Sequence, residues 1–219
     1  MEKEKYDYLD INPEKHGAVE SYVMEIISKY EDYEGLRYTY KDYLQWPEDE
    51  RWELIDGVPY SMSPAPSKRH QEICLALCSE FYNYLKGEPC KAYIAPFDVR
   101  LVDEGESDDD ASTVLQPDIV VICDRTKLDK AGCKGTPDLV VEITSPYTAK
   151  KDVIRKFAAY EKFGVKEYWI VRPEEETVTV FKLSNENKYG RPEIYCRNDK
   201  IQVGIFDDLI IQLEDIFKD

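Results

Sequence analysis

Residues 138–146 read DLVVEITSP, and the chain continues as TAKKDVIRKFAAYEKFG over 148–164 and KEYWIV over 166–171. An apolar run, a stretch of helical periodicity and a second apolar run in that order describe a strand, a crossover helix and a parallel strand. Parallel neighbours need a long connection, which a helix supplies. Gly164 stops the helix, since glycine takes up the left-handed conformation of a helix end without strain. The unit predicts an α/β layer with a mixed sheet. One residue interrupts the pattern: Glu142 puts a carboxylate where a buried strand would continue with an aliphatic side chain.

The helix carries a second anomaly. At about 100° per residue, Val153, Phe157, Tyr160 and Phe163 share one apolar arc, and Lys156 falls inside it. Lys151, Arg155 and Lys162 fall on the opposite side. Two accounts of Lys156 stay open: a side chain that snorkels along the core edge or pairs with Asp152, or an ammonium aimed at the sheet. Glu142 likewise reads either as a strand-end carboxylate held by loop amides or as a site residue.

Upstream, QPDIVV (116–121) opens another apolar strand and offers Asp118 after Pro117. Two carboxylates on neighbouring strands, with a lysine brought over by the next helix, would form a compact, partly desolvated cluster. Acids that close repel unless a cation sits between them, and oxygen-only ligation suits Mg²⁺ or Mn²⁺. Pro137-Asp138 is a second PD pair, but Asp138 lies on the same strand as Glu142, roughly 13 Å along it, too far to share an ion.

Outward from this centre, WELIDGVPYSM (52–62) reads as two short strands around Asp56-Gly57, a dipeptide suited to a tight hairpin. Thr39 caps a short helix before Pro47, and a long helix follows from about Ser67 to Lys86. AYIAPFDVRLV (92–102) reads as one alternating strand, DEGESDDDAST (103–113) as a solvated loop whose like charges oppose compact packing, and VLQPDIVVIC (114–123) as one central strand. TVTVFKL, PEIYC and KIQVG are further strands, and LEDIF is a final short helix. Residues 1–35 are acidic and Tyr-rich, with an amphipathic helix from Val19 to about Tyr33; they read as an extension to a domain over 36–219.

The 219 residues suffice for one packed domain. The net charge of -16, from 45 acids against 29 bases, disfavours indiscriminate coating of nucleic acid or anionic membrane, so a phosphate-bearing partner has to be met locally. No apolar run approaches the roughly 18 residues of a membrane span, and MEKEKYDYLD lacks the apolar core of a secretion signal, so no membrane association and a cytoplasmic location are expected. Six cysteines without a CxxC, beside two histidines, point to structural thiols rather than a metal site.

PDIVV, DLVVEITSP and DVIRKFAAYEKFGVKEYWIVRPE, together with WELIDGVPYSMSPAPSKRHQEI, resemble the Uma-two restriction-endonuclease family of the PD-(D/E)XK nuclease-like superfamily, over about Tyr38 to Leu213. The resemblance implies a restriction-endonuclease-like α/β fold, a central mixed β-sheet flanked by helices. It also implies a Mg²⁺- or Mn²⁺-dependent nuclease, with DNA favoured over RNA as partner and a homodimer as a possible assembly. Carried over, Asp118 and Glu142 bind the metal together with the backbone carbonyl of Ile143, and a lysine positions the attacking water. The superfamily pattern places that lysine two residues after Glu142, where this chain has Thr144; Lys156 is the migrated replacement.

Glu53 resembles an additional acid near the site, with pairing to Arg51 or Lys68 as the other account. His70 resembles a histidine frequent at this helix start, against a surface histidine, and Gln116 is an outer-shell candidate. The rival to a nuclease is an inactive fold relative that serves as a dimerisation or protein-binding module. From Ser145 to Lys166, Lys150, Lys151, Arg155, Lys156, Lys162 and Lys166 outnumber Asp152 and Glu161. That segment is either a phosphate-facing rim or a solvated helix face.

Overall fold

The structure, a computed structural model, describes residues 37–47, 50–62, 66–103, 105–144 and 149–218, with the side chains of 149–153 left aside. The extension over 1–35, with its expected helix, lies outside the described residues.

Strands and helices are numbered along the chain. β1 (Trp52–Ile55) and β2 (Val58–Ser61) form the expected hairpin. Asp56 (φ 48°) and Gly57 (φ 77°) both occupy the left-handed region that such a two-residue turn demands. β4 (Asp98–Leu101), β5 (Thr113–Leu115) and β7 (Gly132–Lys134) complete a five-stranded sheet in the order β2-β1-β5-β4-β7. The six-stranded sheet runs β11 (Glu193–Cys196), β10 (Thr177–Lys182), β9 (Glu167–Arg172), β8 (Leu139–Ile143), β6 (Ile119–Ile122), β3 (Lys91–Ile94). Within it β8 and β9 are parallel, Leu139 opposite Glu167 through Ile143 opposite Val171. Helix α3 (Ala149–Phe163) supplies the crossover, and Gly164 ends it at φ 80°. A small pair, β12 (Lys200–Gln202) with β13 (Ile210–Gln212), and α4 (Leu213–Ile216) close the fold.

Helix α1 (Tyr40–Tyr43) is capped as expected: the Thr39 amide and hydroxyl both donate to Asp42 Oδ2, at 2.8 and 2.9 Å. Helix α2 (Lys68–Tyr84) starts at Ser67, whose Oγ accepts the His70 amide at 3.2 Å.

Four expectations are corrected. AYIAPFDVRLV is not one strand: the chain breaks at the cis Ala95–Pro96 bond, giving β3 to the six-stranded sheet and β4 to the other. VLQPDIVVIC breaks over Gln116–Asp118 into β5 and β6, again in different sheets. In both runs a proline, which cannot donate to a ladder, sits at the break. The acidic loop packs in part: Asp108 lies 3.1 Å from the buried Arg100 guanidinium, and Ala111 is fully buried. Cys90 and Cys123, at the ends of β3 and β6, form a disulfide where only thiols were expected; Cys74, Cys78, Cys133 and Cys196 are free.

Two cores line the six-stranded sheet. On one face Ile73, Leu77 and Phe81 of α2 meet Val141, Ile143 and Trp169; on the other, Tyr160 of α3 meets Val140, Tyr168 and Ile170. Each such side chain contributes roughly 1.5–3 kcal/mol when fully buried. Because side chains alternate along β8, Glu142 shares the face of Val140 and points under α3. Among the described residues no helix is long and apolar enough to cross a membrane.

Candidate active site

Glu142 occupies the fourth position of β8 and is 9% exposed. Lys156, equally buried, descends from α3 and donates to both Glu142 oxygens at 3.1 Å. The same ammonium lies 2.8 Å from Glu53 Oε1, so it neither snorkels nor lies free. Glu53 comes from β1, in the five-stranded sheet, and its Oε1 also accepts the Gln116 amide at 2.9 Å. Lys156 therefore joins a carboxylate from each sheet. Tyr160, one helical turn after Lys156 on the same face, donates to Glu142 Oε1 at 2.7 Å.

Asp118 immediately precedes β6. The antiparallel register, Ile119 opposite Val141, sets it beside Glu142 across the strand pair. Its Oδ2 accepts the Ile143 amide at 2.7 Å, and its Oδ1 lies 3.2 Å from His70 Nε2. His70 is therefore no surface residue: its side chain is 12% exposed, and among the described residues its buried Nδ1 has no hydrogen-bond partner.

Gln116 touches the cluster only through its backbone; its side chain turns to Arg51, Tyr43 and Asp98. Asp138 stays apart at the other end of β8, accepting the Cys123 amide and the Lys166 ammonium, each at 2.7 Å.

Two carboxylates, Glu53 and Glu142, thus hold one ammonium, and a third, Asp118, sits beside Glu142 across the strand pair. Burial drives the Glu142 carboxyl up, to about 7, against the pull of Lys156, with Glu53 and Asp118 adding to the rise. Burial works against the Lys156 charge, yet Glu142 and Glu53 outweigh it and hold the ammonium protonated well above its ordinary range. For His70 burial also works downward, but the hydrogen bond and charge of Asp118, with help from Glu142 and the Ile143 backbone, leave it raised.

Among the described residues no three His, Cys, Asp or Glu side chains form a group that could hold a metal ion. The donors on offer are two neighbouring carboxylates and a backbone oxygen, a sparse, hard set. That set fits Mg²⁺, which keeps several waters and takes few protein ligands, better than Zn²⁺ or Ca²⁺.

The structure thus brings Glu53, Asp118, Glu142, Ile143, Lys156 and His70 together and leaves the Gln116 side chain outside. Sequence reasoning passed over Tyr160, whose only signal was its spacing of four residues from Lys156.

A family model described as "Uma2: Putative restriction endonuclease" matches residues 40–214. An uncharacterized protein of Synechocystis sp. is 32% identical over 122 residues, which are 55% of this chain and 60% of that protein. The chain therefore spans about 60% of the length of the curated relative it matches. A crystal structure of a "putative nuclease belonging to DUF820" from Anabaena variabilis superposes with a TM-score of 0.65 at 22% identity, over 82% of this chain and 97% of that one. The fold is restriction-endonuclease-like.

Proposed function

The chain belongs to the Uma2 family, and on that premise we propose that it is a nuclease hydrolysing phosphodiester bonds of nucleic acid, DNA rather than RNA. In this reading Asp118, Glu142 and the backbone carbonyl of Ile143 hold Mg²⁺ or Mn²⁺. The observation that carries the reading is Lys156, a buried ammonium fixed between Glu53 and Glu142, with Asp118 beside Glu142 on the neighbouring strand. A charged cluster of this kind is often no more stable than apolar packing of the same volume, so stability alone gives no reason for it.

The bound ion would act as a Lewis acid on the phosphate and lower the pKa of a coordinated water. The remaining work falls to the chain. Lys156 offers an ammonium, already desolvated, to orient the attacking water and offset negative charge on the phosphate. Glu53 holds Lys156 in place from the second sheet, Tyr160 fixes the rotamer of Glu142, and His70 fixes Asp118.

A second reading, an inactive fold relative serving as a dimerisation or protein-binding module, is favoured by the lack of a ready three-ligand group among the described residues. The two separate in a cleavage assay on single- and double-stranded DNA and RNA at low salt with Mg²⁺ or Mn²⁺. We expect wild type to cut and Asp118→Ala and Lys156→Ala to lose about 10²–10³-fold or more, the scale of one removed charge-stabilising group. Wild type should also gain melting temperature with Mn²⁺, and Glu142→Ala should lose that gain. No cleavage together with no Glu142-dependent gain would establish the second reading.

A further inference from the structure

Four bases of the segment around α3, Arg155, Lys156, Lys162 and Lys166, have described side chains. Lys156 is engaged by Glu53 and Glu142, Lys162 by Asp103 at 3.2 Å and Asp56 at 3.7 Å, and Lys166 by Asp138 at 2.7 Å. Arg155 differs. Among the described residues no carboxylate pairs with it; instead its guanidinium lies over the Tyr60 ring, Cζ 4.5 Å from the centroid.

Its position ties it to the site. Tyr60 of β2 is the direct cross-strand partner of Glu53. Directly opposed residues put their side chains on one face with Cβ atoms about 5 Å apart. Tyr60 is therefore the next side chain along from the carboxylate that holds Lys156, and Arg155 is the residue before Lys156. A guanidinium stacked through its face keeps its N–H edge for hydrogen bonds, and that fork matches two oxygens of a phosphate. Stacking also restrains a long side chain that would otherwise lose rotamer freedom on binding.

We propose that Arg155, braced on Tyr60, is a phosphate-binding subsite that grips a phosphodiester flanking the one cut at the Asp118–Glu142–Lys156 cluster. The subsite rests on the nuclease reading and adds to it where the strand runs: over the β1–β2 hairpin, on the Glu53 side of the cluster.

The test uses the full chain in EDTA, so that nothing is cut, with a fluorescein-labelled DNA oligonucleotide, single-stranded and duplex, its affinity followed by anisotropy against NaCl concentration. Arg155→Ala should weaken binding about tenfold, the scale of one charge-assisted hydrogen-bonded contact. It should also flatten the log–log salt dependence by about 0.7 for the single strand or about 0.9 for the duplex, the share of one phosphate. Arg155→Lys should restore the salt slope but not the full affinity, because it keeps the charge and loses the fork. With Mg²⁺ present, the Arg155→Ala defect should fall on KM rather than kcat. If wild type binds and cuts while Arg155→Ala matches it in affinity and slope, the subsite is wrong and the nuclease reading stands. If wild type neither binds nor cuts any probe, both fall together.

Discussion

At the residue scale the site is a problem of charge in a confined space, and His70 is where it can be read most directly. Only two histidines are present, His16 and His70, so their ring signals can be told apart by substitution. Asp118 raises His70 above its ordinary value despite burial. A raised folded-state pKa means that the His70–Asp118 contact stabilises fully below the unfolded value of about 6.5 and fades as pH rises through the folded one. We expect an NMR titration in EDTA to place the His70 midpoint above 6.5, and Asp118→Asn to lower it, because the hydrogen bond and charge of Asp118 are the main upward contributions against burial. A midpoint at or below 6.5 in wild type would contradict the pairing. The sequence exposed Asp118, Glu142 and Lys156 because each is a charge inside an apolar pattern. Tyr160 was hidden because a tyrosine in an apolar arc reads as core, and the hydroxyl that gives it a second role leaves no mark on periodicity. His70 was ambiguous because its neighbour, Asp118, is distant in sequence.

At the scale of elements, periodicity located the strand–helix–strand unit around Glu142 and the Asp56-Gly57 hairpin. It joined what the fold separates: β3 with β4, and β5 with β6. Alternation does not register which sheet a strand joins, and a proline within a run was the available warning. β7 went unforeseen because GCK (132–134) is short and without a pattern; its place depends on close backbone approach rather than on side chains. At Gly132 (φ 139°) an added Cβ would sit 2.2 Å from the backbone oxygen of Asp98 on the paired strand β4. We expect Gly132→Ala to cost about 2 kcal/mol or more, read from the urea midpoint, since a backbone atom cannot step aside as a side chain can. Gly87→Ala is the control, with a positive φ but nothing within 4 Å, and should cost about 1 kcal/mol. Equal losses in the two would show that the close approach at Gly132 is unimportant.

At the scale of the whole molecule the net charge of -16 would act against the polyanionic substrate proposed above. Long-range repulsion slows encounter, while local contacts decide how long a bound strand stays. Raising salt from about 0.01 M to about 0.15 M shrinks the screening length from about 30 Å to about 8 Å. Stopped-flow association with an oligonucleotide should therefore speed up over that range, opposite to a basic nuclease, while dissociation speeds up more and the net affinity falls. An association rate that drops with salt would mean that a basic approach path, not the acidic surface, governs the encounter.

Lys156 clasps Glu53 from one sheet and Glu142 from the other, and so makes the reacting centre conditional on both layers being in place. A chain only half assembled, with either layer still open, holds at most one jaw of the site. In the nuclease proposed above, a copy with only one layer closed would lack one of the two anchors of Lys156, and with it the positioned ammonium that cleavage requires.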